Sequence, residues 1–384
     1  MSDIIDDKDG VRTIVLSNND RFYFSRKYDE SVIKPLLEEA QYLYFTIVDL
    51  PILPSLYSQL EEEIIRRSIH GTAALEGNPL SEERVGEIIS STGATKSNQG
   101  AEKEIENLKR AYDYIKTMET DFGYFPLVEE IIRPIHALIS AGIDDDKYRP
   151  SFYRISKVRV GDKDHGGVDV PPQKLKDIKL LMKEFVKWIN SDKVIDLDAV
   201  VRAAIAHYHL GRIHPFEDGN GRTIRIIEAM LIQGAGFKYF PTMLSNYYYR
   251  NIDDYYRAFS NTRKDKEKEI TPFLEFVFKG VIESLKTIRE KIMGFIRLAT
   301  LKEHFSSLRS EKKLTHRQYD LMSMLVKDHD PFSLADLAYT TPFNVLYRDV
   351  TERTARRDVN HLVKLEILNK TEDGKYKLNL RALG

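Results

Sequence analysis

Residues 214 to 225, His-Pro-Phe-Glu-Asp-Gly-Asn-Gly-Arg-Thr-Ile-Arg, restrict the architecture more tightly than any other stretch of the 384-residue chain. Apolar spacing predicts a helix over 197 to 211 that stops at Gly211, and Pro215 cannot extend it. His214 is therefore expected in a loop, with the next helix opening around Gly219 to Gly221. Glycines at such a start let backbone N–H groups form a concave nest, and the helix N-terminus adds partial positive charge. Arg222 and Arg225, three apart in the first turn, sit where the helix dipole disfavours cations by ~0.3–1 kcal/mol each. A bound anion would reverse that preference. Asp218 beside the nest suits a hard divalent cation bridging phosphates. His214 is placed to take a proton near neutral pH.

Each residue alone has a plainer reading. Asp218 reads equally as an N-cap, the glycines as a turn, and His214 as a buried core histidine. Two other sites fit less well. A Walker A loop needs Gly-Lys before its Ser or Thr, and Gly-Asn-Gly-Arg-Thr lacks the Lys. A zinc site from His207, His209 and His214 places its first two ligands two apart on a helix, facing different ways.

The whole segment resembles the Fic motif: HPF, an acid, GNGR, then a second Arg. The resemblance, over roughly 120 to 280, implies a mainly α fold with a Fic-type helical bundle and a β-hairpin flap. The implied activity is transfer of AMP from Mg-ATP to a Ser, Thr or Tyr hydroxyl of a protein, the chain itself included. It further implies His214 as the general base, Phe216 as the apolar anchor and Asp218 as the Mg²⁺ ligand. Gly219, Asn220 and Gly221 would lie under the α- and β-phosphates, and Arg222 and Arg225 would pair with phosphate. Thr223 and Ile224 complete the nucleotide-binding run. Tyr255, Tyr256 and Asn261 resemble residues near the base and ribose, with helix-face packing as the other reading.

A second stretch, Thr72-Ala73-Ala74-Leu75-Glu76-Gly77-Asn78, places Glu76 in the last turn of a helix, where the dipole disfavours a carboxylate. It resembles the family's inhibitory motif. The resemblance implies a bidentate Glu76–Arg225 pair that occupies the guanidinium meant for the γ-phosphate. Alternating residues around a Gly-rich turn, Val158-Arg159-Val160-Gly161 and Val168 to Pro172, predict a β-hairpin. By resemblance this is the flap over the site, binding a target as an added strand.

Elsewhere, Thr13 to Leu16 and Phe22 to Phe24 read as short strands or an arm over the core. Helices are expected from Ile33 into Phe45, over 56 to 75 and after an N-cap at Ser81. Further helices are expected at 101–120, 126–142, 173–190, 222–234, 251–263 and 271–298, and residues 91 to 100 read as a loop. From about 310 the texture changes. Three helical signals (315–327, 333–339, 351–365) and two short strands form a winged helix-turn-helix pattern. Thr351 suits an N-cap, and Arg353, Arg356 and Arg357 lie on the helix that would enter DNA. Protein docking is the alternative, because 311–384 holds 13 Lys and Arg against 11 Asp and Glu, weak for a DNA domain. Three regions are expected: 1–115, 116–300 and 310–384.

A net charge of −1 supplies no global field for nucleic acid or membrane. The absence of Cys excludes disulfides and thiol nucleophiles. The acidic start lacks signal-peptide features, and no apolar run approaches ~20 residues. A cytoplasmic protein with no membrane partner is expected. A homodimer is a further expectation from the family. Two other functions stay open: a de-AMPylating hydrolase in which Glu76 orients water, and a nucleotide-sensing transcriptional regulator.

Overall fold

The computed structural model describes residues 4–6, 10–91, 100–118, 125–143, 149–161, 163–164, 167–326 and 330–380. The N-terminal alternations form an antiparallel sheet, β1 (Ile4–Asp6), β2 (Val11–Val15) and β3 (Arg21–Ser25), with Ile14 opposite Phe22. One face buries Ile14, Phe22 and Phe24, as period-2 alternation requires. Phe24 stacks on Trp188 of α6 (Leu175–Ile189) at 5.4 Å.

Two compact units divide the chain. The first comprises 1–50 and 57–289, and the second 51–56 and 290–384. In the first, α1 (Glu30–Val48) and α2 (Pro54–Ala74) precede α3 (Glu82–Ser90), which Ser81 caps by accepting from the Arg84 N–H. α4 (Gly100–Lys116) and α5 (Glu129–Ser140) follow. Then come α6, the short α7 (Asp192–Ile195), α8 (Ala199–Ile213) and α9 (Asn220–Gly234). α8 and α9 pack together at the centre, and nearly every residue of both is buried. α10 (Phe240–Arg250) and α11 (Ile252–Lys264) complete the shell, and α12 (Thr271–Ser310) begins in this unit. No described helix is long and apolar enough to cross a membrane.

Four expectations are corrected. Gly211 does not stop α8, which runs on to Ile213. The glycine serves packing instead: a Cβ there would lie 2.9 Å from the Phe259 ring. Pro126 does not open α5, whose first turn begins at Glu129. α12 continues to Ser310 rather than ending near 298. The expected hairpin shrinks to one described pair, Val160 with Asp169, joined by backbone bonds of 3.0 and 2.7 Å. Val168 and Val170 are exposed, so no core holds a longer ladder, and Pro171-Pro172 removes donors. His165 and Gly166 of the flap tip, and residues 92–99 of the expected loop, lie outside the described residues.

α10 escaped the sequence reading because Tyr247-Tyr248-Tyr249 favours strand by propensity. Pro241 in its first turn marks it as a helix.

The second unit carries α13 (His316–Leu325), α14 (Leu334–Tyr339), α15 (Asn344–Tyr347) and α16 (Glu352–Lys364). An antiparallel pair, β4 (Leu368–Lys370) and β5 (Tyr376–Leu378), closes it around Phe332, Tyr347, Val359 and Leu362. Thr351 caps α16, whose Arg353, Arg356 and Arg357 face solvent. Asp358, on the buried face, bonds Arg317 at 2.7 Å.

Candidate active site

The loop between α8 and α9 is held by its own side chains. His214 ends α8 with φ of 49°, a left-handed conformation that a non-glycine residue adopts at a cost. Gly219 follows at φ 74° and opens α9. Between them, the Asn220 amide accepts from the Phe216 N–H (2.9 Å) and donates to the Phe216 carbonyl (2.8 Å). Thr223 donates to the Gly219 carbonyl at 2.8 Å. Asn220 and Thr223 are thus buried braces rather than groups aimed at a ligand. Phe216 is 1% exposed and stacks on His136 at 3.7 Å. The His136 ring receives the Ser151 N–H on Nδ1 (3.0 Å), so its Nε2–H donates to the Asp218 carbonyl (3.0 Å). Burial holds this imidazole neutral, down at about 4. The sequence reading missed His136, although it lies on the apolar face of α5.

α8, α9, α11 and the flap enclose an open cavity of about 160 Å³. His214, Gly221, Ile224, Arg225, Tyr255 and Tyr256 line it, as do Val160 and Gly161 of the flap. Burial lowers the His214 imidazole to about 4, and the nearby Arg154 charge acts in the same direction. The ring is therefore neutral at pH 7.

Glu76 projects into the same cavity. Its Oε1 accepts from Arg225 Nη2 at 2.6 Å, and the same nitrogen donates to the Thr72 carbonyl at 3.0 Å. The pair is monodentate, not bidentate as expected, because Thr72 shares the guanidinium. Gly221 makes room for it: a Cβ there would fall within the Glu76 carboxylate.

Arg222 turns away from Arg225. It is 3% exposed and pairs with Glu104 at 2.9 Å and Asp218 at 3.2 Å. Neither Arg222 nor Asp218 lines the cavity. Asn261 is exposed, while its neighbours Ser260 and Arg263 face the cavity. His207 bonds the Tyr255 hydroxyl (2.9 Å) and lies 3.0 Å from the Glu228 carboxylate, and His209 bonds the Ser25 backbone (3.0 Å).

Two residues that the sequence reading did not single out tie the flap to the loop. Arg154, fully buried, donates to the carbonyls of His214 (2.7 Å), Ser156 (2.9 Å) and Pro172 (2.5 Å). Burial pulls its guanidinium down to about 10, which still leaves it charged at neutral pH. Glu217 accepts from the Ile155 N–H (3.0 Å), the Ser156 N–H (3.3 Å) and the Ser156 hydroxyl. A lone Arg among the hydrophobic residues Phe152, Tyr153 and Ile155 was the available signal for Arg154. On the far flap strand, Asp169 pairs with Arg263 (2.9 Å) and Arg212 (3.4 Å). Within the flap segment, Val158 offers its carbonyl to Gln173 (3.1 Å) and Arg159 is exposed.

A magnesium ion needs one or two carboxylates when substrate phosphates complete its shell. Asp218, its carboxylate half exposed beside the α9 N-terminus, fits that single-carboxylate role. Such an ion would supply charge neutralisation for phosphates; among the described residues no cluster of three or more ligand side chains offers an all-protein cage.

Residues 126–232 match the family model described as Fic/DOC family. The curated protein adenylyltransferase Fic of Aedes aegypti is 30% identical over 218 residues, 56% of this chain and 40% of that protein. The Drosophila yakuba protein of the same name is 39% identical over 111 residues, 29% of this chain and 21% of its own length. The chain thus spans less than half the length of these relatives. In fold, it is similar to a Fic family protein from Desulfovibrio desulfuricans (TM-score 0.55, 19% identity, 92% of this chain and 98% of that one). It is likewise similar to Fic-1 from C. elegans (TM-score 0.55, 21% identity, 67% and 72%). With the loop, the helix pair and the motif coinciding in one segment, residues 126–232 are a Fic/DOC-family domain within a mainly helical chain.

Proposed function

We propose that the protein is an autoinhibited protein adenylyltransferase that uses Mg-ATP. The observation that carries this reading is the Glu76 carboxylate seated on Arg225 above Gly221, beside a neutral His214. Neutral His214 takes the proton of a target Ser, Thr or Tyr hydroxyl. The hydroxyl oxygen then bonds to the α-phosphorus, the bond to the bridging oxygen breaks, and pyrophosphate leaves with the electron pair. Bound phosphates add negative charge near the imidazole and raise its basicity toward the operating pH. The α9 N-terminus and Arg225 stabilise the developing charge. Asp218 would hold a magnesium ion that neutralises phosphate charge, and Tyr255 and Tyr256 flank the nucleoside. The flap at Val158 to Gly161 aligns the target as an added strand. Arg222, tied to Glu104 and Asp218, acts by holding the metal-binding carboxylate in place.

Glu76 keeps Arg225 from the γ-phosphate, so ATP binds in an unproductive pose until the pair opens. The expected outcome is that Glu76→Gly becomes adenylylated on incubation with Mg-ATP, seen by intact-mass analysis, and that adding His214→Ala abolishes the label. Equal labelling of Glu76→Gly and wild type rejects the brake, and labelling that survives the loss of His214 rejects the base.

The winged-helix reading of the second unit gives it a docking role, for DNA or for a protein. Salt-dependent retardation of a generic duplex by the full chain would select DNA.

A further inference from the structure

The first unit holds a second and larger cavity, of about 420 Å³, which shares no lining residue with the first. Its volume falls within the range of small-molecule sites. Tyr57 and Ile64 of α2 form one wall and Tyr112 of α4 another. Gln233 of α9 and Phe237, Lys238 and Tyr239, just before α10, also line it.

Three observations single this cavity out. First, Tyr239 is held at φ 69°, ψ −67°, the rare strained hand of a three-residue turn, closed by the Phe240 N–H on the Lys238 carbonyl at 2.9 Å. Strain of this kind persists where surrounding structure enforces it, and it collects at ligand clamps. Here it presents the Tyr239 ring edge-on to Tyr57 at 5.8 Å. Second, the two lysines of the lining differ among the described residues. Glu61 neutralises Lys116 at 2.8 Å, whereas Lys238 has no described carboxylate within ion-pair reach. Third, the cavity floor touches the brake. The Tyr112 hydroxyl bonds the Thr72 hydroxyl at 3.1 Å, and the Thr72 carbonyl accepts from Arg225. Glu76 follows four residues later.

We infer that this cavity is an effector site for a planar aromatic molecule carrying negative charge, and that its occupant holds the inhibited state. Aromatic walls supply the apolar contact, and Lys238 supplies the charge. The direction follows from thermodynamics. The cavity exists only while α2 is docked against α10, so a molecule that fills it binds the docked state better and shifts the population toward it. α2 is packed closely enough for this: a Cβ on Gly71 would lie 2.7 Å from the Asn246 Cα of α10. The regulatory half of the inference rests on Glu76 acting as the brake; the binding half does not.

The test uses the full chain and the fluorescent sulfonate 1-anilinonaphthalene-8-sulfonate as probe. Saturable one-to-one binding is expected. Lys238→Glu, at an exposed position, should weaken it roughly fivefold. Gln233→Trp, at a half-buried position, should fill the cavity and abolish it. Binding that neither variant alters overturns the site. For the regulatory half, saturating probe should lower residual self-labelling of wild type with Mg-ATP roughly threefold or more. Labelling of Glu76→Gly, in which docked α2 carries no brake, should be unaffected. Equal inhibition of both proteins would place the probe in the nucleotide cleft and overturn the coupling. If no variant labels at all, the adenylyltransferase reading fails while the binding arm still decides the site.

Discussion

Asn220 sits in the middle of a phosphate-binding signature, yet its side chain is spent on the backbone of Phe216, accepting from the N–H and donating to the carbonyl. A short polar residue at this point turns a six-residue loop into a rigid cradle before any ligand arrives. Replacing it leaves two buried backbone groups unpaired. Asn220→Ala should therefore cost about 2 kcal/mol in a urea melt, and it should weaken nucleotide binding measured by calorimetry. Asn220→Asp, which keeps the acceptor and loses the donor, should fall between wild type and Ala. His214 and Gly221 follow the same logic. The first bears a strained backbone so that its ring meets the cavity, and the second lacks a side chain so that Glu76 can reach Arg225.

The flap depends on polar clamps because it has little else. One described backbone pair and an exposed apolar surface cannot hold two strands over a cleft. Arg154 and Glu217 perform that work from beneath, joining the flap's entry and exit to the catalytic loop. Glu217→Ala should accelerate amide hydrogen exchange at Ile155 and Ser156, leaving exchange in α8 and α9 near that of wild type. Protection at those two amides that stays unchanged would show that another contact orders the segment. α10 and α11 matter differently. α11 supplies Tyr255 and Tyr256 to one cavity, Tyr239 at the N-cap of α10 lines the other, and Tyr248 of α10 bonds buried Glu228 (2.9 Å).

At the scale of the whole molecule, three imidazoles among the described residues are kept neutral by burial: His136 and His214 at about 4, and His209 at about 3. Each folded value lies below the ordinary 6.5, so the unfolded chain binds more protons between those limits. Stability from these groups is complete above pH 6.5 and is lost as pH falls toward 4. Thermal melts should show Tm dropping across that window. His209→Phe, at a site packed edge-on against Phe24 and Trp188, should flatten the slope. An unchanged slope in that variant would assign the acid loss to carboxylates. An NMR titration should place the His214 midpoint near 4 in the nucleotide-free protein and higher with Mg-ATP bound.

What the sequence alone determined was local: a proline ending one helix, glycines opening the next, Ser81 and Thr351 as caps, and the alternation of the N-terminal strands. These follow from backbone sterics and hydrogen bonds within a few residues, which any window of sequence contains. Glu76 and the His214 motif were legible separately for the same reason. The tertiary structure decided which side chains meet. It set Glu76 on Arg225 with Thr72 sharing the cation, turned Arg222 toward Glu104, and sent Asn261 to the surface. It also buried Arg154 among three carbonyls and used Gly211 for Phe259 instead of a helix stop. Those outcomes depend on packing between segments up to 153 residues apart, as Thr72 and Arg225 are. Burial and close approach exist only once the helices have docked, and no spacing within one segment records them.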